Sequence, residues 1–279
     1  MLGTGTPRPD PERSGPATVI VVDDTPYLID FGPGVVRRAV AAFNNGIEAI
    51  GPAAKALTTI FLTHLHADHT AGYPDLILTP WILGRSEPLN VYGPRGLRDM
   101  TEHILRAWQI DIESRLHGID QLPAAGCAVH VHEVEPGLIY EDRNIRASAF
   151  PAKHAGLKDA FGLRIETPDK TIIVSGDTAP TGAMAANYAG CDILIHEAYS
   201  TATYNAVAPK WQAYRRANHT RSTELAELAK LVRPGLLVLY HRVNIGAPMG
   251  MPDPEDVLLQ EIREIYDGKV VTGHDLDVF

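Results

Sequence analysis

Apolar and polar positions along this chain fall into short blocks of two kinds, one reading as strand and one as helix. Leu57-Thr58-Thr59-Ile60-Phe61-Leu62 is β-branched and apolar almost throughout, the pattern of a buried strand. Ala17 to Val22 and Tyr27 to Phe31 are β-rich runs around Asp23-Asp24-Thr25-Pro26, which predicts a hairpin. Gly32-Pro33-Gly34 stops the second run, and Val35 to Phe43 then reads as a helix. Thr70 to Leu83 is a second helical stretch. Leu89 to Tyr92 is a short strand ended by Gly93-Pro94, with a helix from Leu97 to Trp108. Ala128 to Val134 and Ile145 to Phe150 alternate like half-exposed strands, and the interval Gly156 to Ser175 reads as two strands joined by Glu166-Thr167-Pro168-Asp169-Lys170.

The second half repeats one theme, a short apolar strand with a polar residue at its carboxyl end. Thr171 to Ser175 runs into Gly176-Asp177-Thr178, Asp192 to Ile195 into His196-Glu197, and Leu236 to Tyr240 into His241. Helices intervene at Ser222 to Val232, with Leu225, Leu228, Ala229 and Val232 on one face, and at Asp256 to Tyr266. Strands and helices mixed in this order predict an α/β (α+β) chain whose sheets are covered by helices, with ligands gathered at strand ends. No repeat, low-complexity tract or linker interrupts residues 1–279, so a single domain is expected.

Composition narrows the class. Net charge of −9 argues against a broad basic face for nucleic acid. Cys127 and Cys191 follow no metal spacing and read as buried thiols, which predicts a reducing, cytoplasmic location. No apolar run reaches the ~18 residues of a membrane span, and no basic segment with an apolar stretch opens the chain. Met1-Leu2-Gly3-Thr4-Gly5-Thr6-Pro7 begins where a strand should already be ending, so upstream residues or a removed leader are an open expectation.

The chemistry concentrates in Thr63-His64-Leu65-His66-Ala67-Asp68-His69, which puts four metal-capable side chains into six residues. A chain leaving the strand in extended form points His64 and His66 to one side, where both can grip one ion. Asp68 and His69 face elsewhere as the chain turns into helix, which suits a second ion. Carboxylates with imidazoles favour zinc, with manganese or iron as alternatives. Three imidazoles packed this closely need a shared partner to offset their repulsion once protonated. His154, Asp177 and His241 each follow or cap a strand. His130 and His132 alternate along one strand with no accompanying carboxylate and read as solvated.

With these residues in this order, the chain resembles the metallo-β-lactamase superfamily over nearly its whole length. The resemblance implies a four-layer αβ/βα sandwich, with two mixed β-sheets flanked by helices. It implies two divalent ions, one held by His64, His66 and His154, the other by Asp68, His69 and His241, with Asp177 bridging. Leu2-Gly3-Thr4-Gly5-Thr6-Pro7, Ser175-Gly176-Asp177-Thr178-Ala179-Pro180, Ile195-His196-Glu197-Ala198 and Asn218-His219-Thr220-Arg221-Ser222 look like the ribonuclease Z branch, although Tyr199 stands where its His-Glu-Ala-Thr segment has Thr. In that branch the position of His219 is a catalytic histidine and that of Glu197 its partner acid. Asp68 would orient the attacking water or accept its proton, His219 would protonate the leaving oxygen, and Glu197 or Asp30 would set imidazole tautomers.

The branch also carries a flexible arm that grasps transfer RNA, between the positions of His154 and Asp177. Only 23 positions separate those residues here. With the acidic balance and no lysine-rich stretch, this predicts a hydrolase of a small ester, a phosphodiester first and an arylsulfate or lactone behind it. A nucleic-acid or membrane partner is not expected, and a homodimer is left open. Trp81, Tyr204, Trp211 and Tyr214 are candidate pocket walls, with Arg8, Arg13, Arg215 and Arg216 facing a substrate anion. The alternatives are a ribonuclease Z-like transfer-RNA 3′ endonuclease, an iron-dependent redox enzyme on the same fold, and a binding module that has lost catalysis.

Overall fold

The computed structural model describes residues 1–248 and 255–279 and divides the chain into two compact units. Unit 1 comprises Met1–Gly3, Pro11–Glu135 and Asp275–Phe279; unit 2 comprises Thr4–Asp10 and Pro136–His274.

Unit 1 contains, in order, β1 (Thr18–Val22), β2 (Thr25–Ile29), α1 (Val35–Asn44), β3 (Thr59–Phe61), α2 (Ala67–Thr70), α3 (Tyr73–Ile82), β4 (Leu89–Gly93), α4 (Leu97–Ala107), α5 (Gln109–His117) and β5 (Val129–Glu133). Its five strands run in spatial order β1-β2-β3-β4-β5. The β1–β2 pair is an antiparallel hairpin with Val22 opposite Thr25, while β2 through β5 pair in parallel. Asp23 and Asp24 both take positive φ, 45° and 59°, as a two-residue turn matching strand twist requires. Val35, Val36 and Ala39 of α1 join Leu76, Ile77 and Trp81 of α3 with Leu28, Ile60 and Val91 of the sheet in one buried cluster.

The predicted Thr70–Leu83 helix is broken at Ala71-Gly72, and the residues before it, Ala67–Thr70, form the separate turn α2. Gly72 donates its N–H to the Phe31 carbonyl, and a Cβ there would lie 2.3 Å from the Gly32 carbonyl oxygen. The two segments touch through backbone, so the helix must end where glycine allows that approach. Farther along α3, Pro80 has no N–H for the Leu76 carbonyl. Buried Arg85 replaces it, donating from Nη1 to Leu76 and from Nη2 to Ile77 and Gly126. The sequence pattern did not predict α5, which buries none of its residues.

Unit 2 contains β6 (Gly137–Glu141), β7 (Arg146–Pro151), β8 (Phe161–Glu166), β9 (Thr171–Val174), α6 (Met184–Tyr188), β10 (Ile193–Ala198), α7 (Thr201–Ala206), α8 (Pro209–Asn218), α9 (Ser222–Val232), β11 (Leu236–Arg242), α10 (Glu255–Arg263) and β12 (Val270–Thr272). Its seven strands run β12-β11-β10-β9-β8-β7-β6. The β9 to β12 pairs are parallel and the β6 to β9 pairs antiparallel. Leu225 and Ala229 of α9 and Leu258 and Ile262 of α10 pack with Ile173, Leu194, Leu237 and Leu239. Two mixed sheets, each with its own helices, make the chain α/β as expected. The predicted strand Asp192–Ile195 runs on through Ala198 because His196 and Glu197 stay in parallel register with Leu239 and Tyr240. Among the described residues no helix is long and apolar enough to cross a membrane.

Candidate metal centre

In unit 1 the ligand-bearing residues follow the carboxyl end of β3. Thr63 and His64 are fully buried, and His66 is the extended residue from which α2 starts, which puts Asp68 and His69 in its first turn. The Thr70 hydroxyl closes that turn on the His66 carbonyl at 2.9 Å. The His64 ring centroid lies 4.9 Å from that of His66 and 4.1 Å from that of His69. Asp30, one residue past β2 and at φ 60°, organises the group from beneath. Its carboxylate accepts the Thr63 N–H at 2.8 Å and the Thr63 hydroxyl at 3.0 Å, and sits 2.8 Å from His69 Nδ1. A non-glycine residue at positive φ costs of order 1–3 kcal/mol, a strain characteristic of functional positions.

In unit 2 the residues stand at the carboxyl ends of three adjacent parallel strands. Asp177 follows β9 on the Gly176 turn, and Glu197 and His241 are the next-to-last residues of β10 and β11, His241 at φ 41°. Asp177 Oδ1 is 3.5 Å from His241 Nδ1, and its Oδ2 is 3.9 Å from His219 Nδ1. Glu197 Oε2 lies 3.4 Å from the same His219 nitrogen. Glu197, His219 and His241 each offer an atom within 4.8 Å of the others, a metal-capable grouping that the sequence reading, which set Glu197 and His219 apart as acid and proton donor, did not make. His154 faces His219 edge to ring at 5.4 Å, and its Nδ1 is 2.9 Å from the Asn218 carbonyl.

Burial raises the Glu197 pKa well above the carboxylate range, and the Asp177 charge adds to this. The His241 ring and the N–H groups of Thr220 and Thr178 oppose it. A divalent charge nearby would draw it back toward the carboxylate. His196 points the other way, into Tyr188, and burial lowers its pKa to about 4.

The donor set fits divalent ions. Nδ1 of His69 faces a carboxylate and Nδ1 of His154 a carbonyl, so each donates there and carries its lone pair on Nε2. That is the orientation in which imidazoles bind metal. The structure also supplies partners the sequence reading missed: Thr63, Thr178 and Thr220, each adjacent to a metal-capable or catalytic position. Three candidates are corrected. Trp81 is no pocket wall, because it is fully buried in the unit 1 core with its indole N–H on the Pro123 carbonyl. Tyr204 is buried against Tyr199. Arg215 faces no anion, being buried with its guanidinium on the Ile245 carbonyl and Thr203 hydroxyl. His130 and His132 are exposed on β5, as expected.

The profile of the Beta-lactamase superfamily domain matches residues 25–242. A protein named Ribonuclease Z from Mycobacterium sp. (strain KMS) is 33% identical over 251 residues, covering 89% of this chain and 85% of that relative. Among solved structures, the metallo-beta-lactamase fold protein YhfI from Bacillus subtilis superposes with TM-score 0.71 at 17% identity, covering 98% of this chain and 95% of that one. Human tRNase Z, short form, does so with TM-score 0.68 at 24% identity, covering 100% and 96%. The chain belongs to the metallo-β-lactamase superfamily. It is a metal-dependent hydrolase that acts on ester bonds.

The Ribonuclease Z relative overturns the expected partners, a small-molecule ester in place of nucleic acid. The physical error lay in scale. Net charge sums the whole surface, whereas a phosphate feels charges within a Debye length of about 8–10 Å. Residues 198–223 hold no carboxylate of their own, and of their four cations Lys210, Arg216 and Arg221 are exposed or half-buried while Arg215 is buried. The short interval between His154 and Asp177 is the hairpin β8–β9, as predicted. It leaves no room for one grip on RNA and says nothing of the cleavage chemistry.

Proposed function

We propose that this chain is a ribonuclease Z-like endonuclease that cuts the 3′ extension from precursor transfer RNA. The observation that carries the reading is the 33% identity to a protein named Ribonuclease Z across 89% of the chain. His64, His66 and His154 would hold one ion and Asp68, His69 and His241 the other, with Asp177 a ligand to both. Zinc is the ion that this imidazole-rich set favours. When bound, two such ions lower the pKa of a water and neutralise charge at the phosphate. Asp68 orients the attacking water and takes its proton. As the new phosphorus–oxygen bond forms, the bond to the leaving ribose oxygen breaks, and that oxygen takes a proton from His219. Glu197, 3.4 Å from His219 Nδ1, holds the ring in place. Asp30 does the same for His69 through the 2.8 Å contact.

Incubation of the zinc-loaded protein with a 3′-extended precursor transfer RNA tests the reading. One endonucleolytic product, abolished in Asp68→Ala, is expected. An uncut precursor after metal content has been verified overturns it.

A further inference from the structure

Helix α8 buries two of its residues, Arg215 and Asn218, so no aliphatic stripe anchors its last turn. The Arg215 side chain is fully buried. Its Nε and Nη2 donate to the Ile245 carbonyl at 3.1 and 2.7 Å, and Nη1 donates to the Thr203 hydroxyl at 3.1 Å. The guanidinium carbon stands 5.9 Å from the Tyr199 ring centroid. None of these partners is a carboxylate, and burial draws the guanidinium pKa below its ordinary value. An apolar side chain of the same volume would fill the space without desolvating a charge. It would lack the rigid fork of donors, each with a fixed direction.

The fork ends on segments that carry the site. Ile245 lies four positions past His241, and Tyr199 two past Glu197. On the helix itself, the Arg215 carbonyl accepts the His219 N–H at 2.8 Å. The turn so closed presents the Asn218 carbonyl to His154 Nδ1 at 2.9 Å and His219 Nδ1 to Glu197 Oε2 at 3.4 Å. From this convergence we infer that Arg215 is a positioning residue for the metal centre. It fixes the last turn of α8 against the segments after β10 and β11, and so holds His154 as a ligand and His219 as a donor. It acts through those two rings, not on the reacting atoms. The His219 half rests on the ribonuclease reading and its proton donor; the His154 half does not.

Two mutant cycles on the full chain test it. In the first, zinc affinity is read by competition with a chromophoric chelator. Arg215→Met should weaken one ion about tenfold. It should cost nothing further in His154→Ala, where the Asn218 carbonyl has no ring to orient. In the second, kcat is read on precursor transfer RNA with metal saturating. Arg215→Met should lower kcat about 10²-fold, the effect of roughly an ångström of misplacement, with KM within about threefold of wild type. It should cost nothing further in His219→Ala. Arg215→Lys should recover only part of each loss, since an ammonium does not reproduce the fork. Losses that add, as a merely structural role would give, overturn the His154 half in the first cycle and the His219 half in the second. Wild-type affinity and rate in Arg215→Met overturn both. If Arg215→Met does not fold, Thr203→Val, which removes one arm of the fork, enters both cycles under the same criteria. A wild type that leaves the precursor uncut ends the ribonuclease reading, and the zinc cycle still decides the His154 half. Cleavage by the wild type with losses that add in both cycles keeps that reading and removes Arg215 from it.

Discussion

Asp30 and His69, 39 positions apart in the chain, meet through an oxygen–nitrogen contact of 2.8 Å with both side chains buried. The same carboxylate takes the N–H and hydroxyl of Thr63, so the ends of β2 and β3 and the turn α2 converge on one acid. Replacing it with Ala leaves the His69 tautomer unset and the Thr63 N–H buried without its acceptor. We expect Asp30→Ala to lower metal affinity 10–100-fold, read by competition with a chromophoric chelator. Affinity unchanged in that variant would show that the contact does not orient the ligand.

The bridging role assigned to Asp177 predicts stoichiometry. Wild-type protein offered zinc should hold two ions per chain by elemental analysis, and Asp177→Ala should hold at least one fewer. Far-ultraviolet dichroism should be retained, because Asp177 stands on a turn after β9 and not inside it. Full occupancy in Asp177→Ala would remove it from the ligand set.

His219→Ala should reduce kcat by about 10²–10⁴-fold with metal content kept. The deficit should shrink on a phosphodiester with an activated aryl leaving group, which departs without a proton. Glu197→Gln should lose less, since its carboxylate acts through His219 at 3.4 Å. Equal losses on good and poor leaving groups would contradict proton donation.

His196 gives a pH dependence of stability whose sign can be worked out. Its folded pKa of about 4 lies below the ordinary imidazole value near 6.5. Between those values the unfolded chain binds a proton that the folded chain refuses. Its contribution is therefore intact above about pH 6.5 and is lost as pH falls toward 4, on the order of 3 kcal/mol across the window. Urea midpoints at pH 7.5 and 5 should differ less in His196→Gln than in wild type. Identical pH dependence in both chains would locate the titration elsewhere.

Arg85→Ala should destabilise unit 1 by about 2–4 kcal/mol. It removes donors from the carbonyls of Leu76, Ile77 and Gly126, the first of which Pro80 has already deprived of its helical partner. A thermal midpoint lowered by several degrees is expected, and Arg85→Lys should restore only part of it because one ammonium cannot reach all three carbonyls in a fork. A midpoint equal to wild type would mean that water satisfies them.

Local pattern was enough for the elements whose burial depends on their own residues. The alternation or apolarity of β3, β5, β9 and β11 and the apolar stripe of α9 showed in the sequence within a residue or two. His64, His66, Asp68 and His69 were legible for the same reason, since four metal-capable side chains in six positions have few other uses. Helices α5 and α8 escaped notice, as α5 buries nothing and α8 covers its buried side with Arg215 and Asn218 instead of an aliphatic stripe. The break before α3 was hidden too, because it depends on Phe31 and Gly32 approaching Gly72 from 40 positions away. Asp30 and Glu197 were expected as the acids that set imidazole tautomers, but the atoms they meet were decided by tertiary structure. Which atom faces His69 Nδ1, His154 Nδ1 or Glu197 depends on strand order and on backbone groups of Asn218 and Thr220, and backbone groups leave no mark in a sequence. Charge followed the same division. The sum of −9 could be counted from composition, but which cations stay accessible was decided by folding, which buries Arg215 and leaves Lys210 and Arg216 exposed.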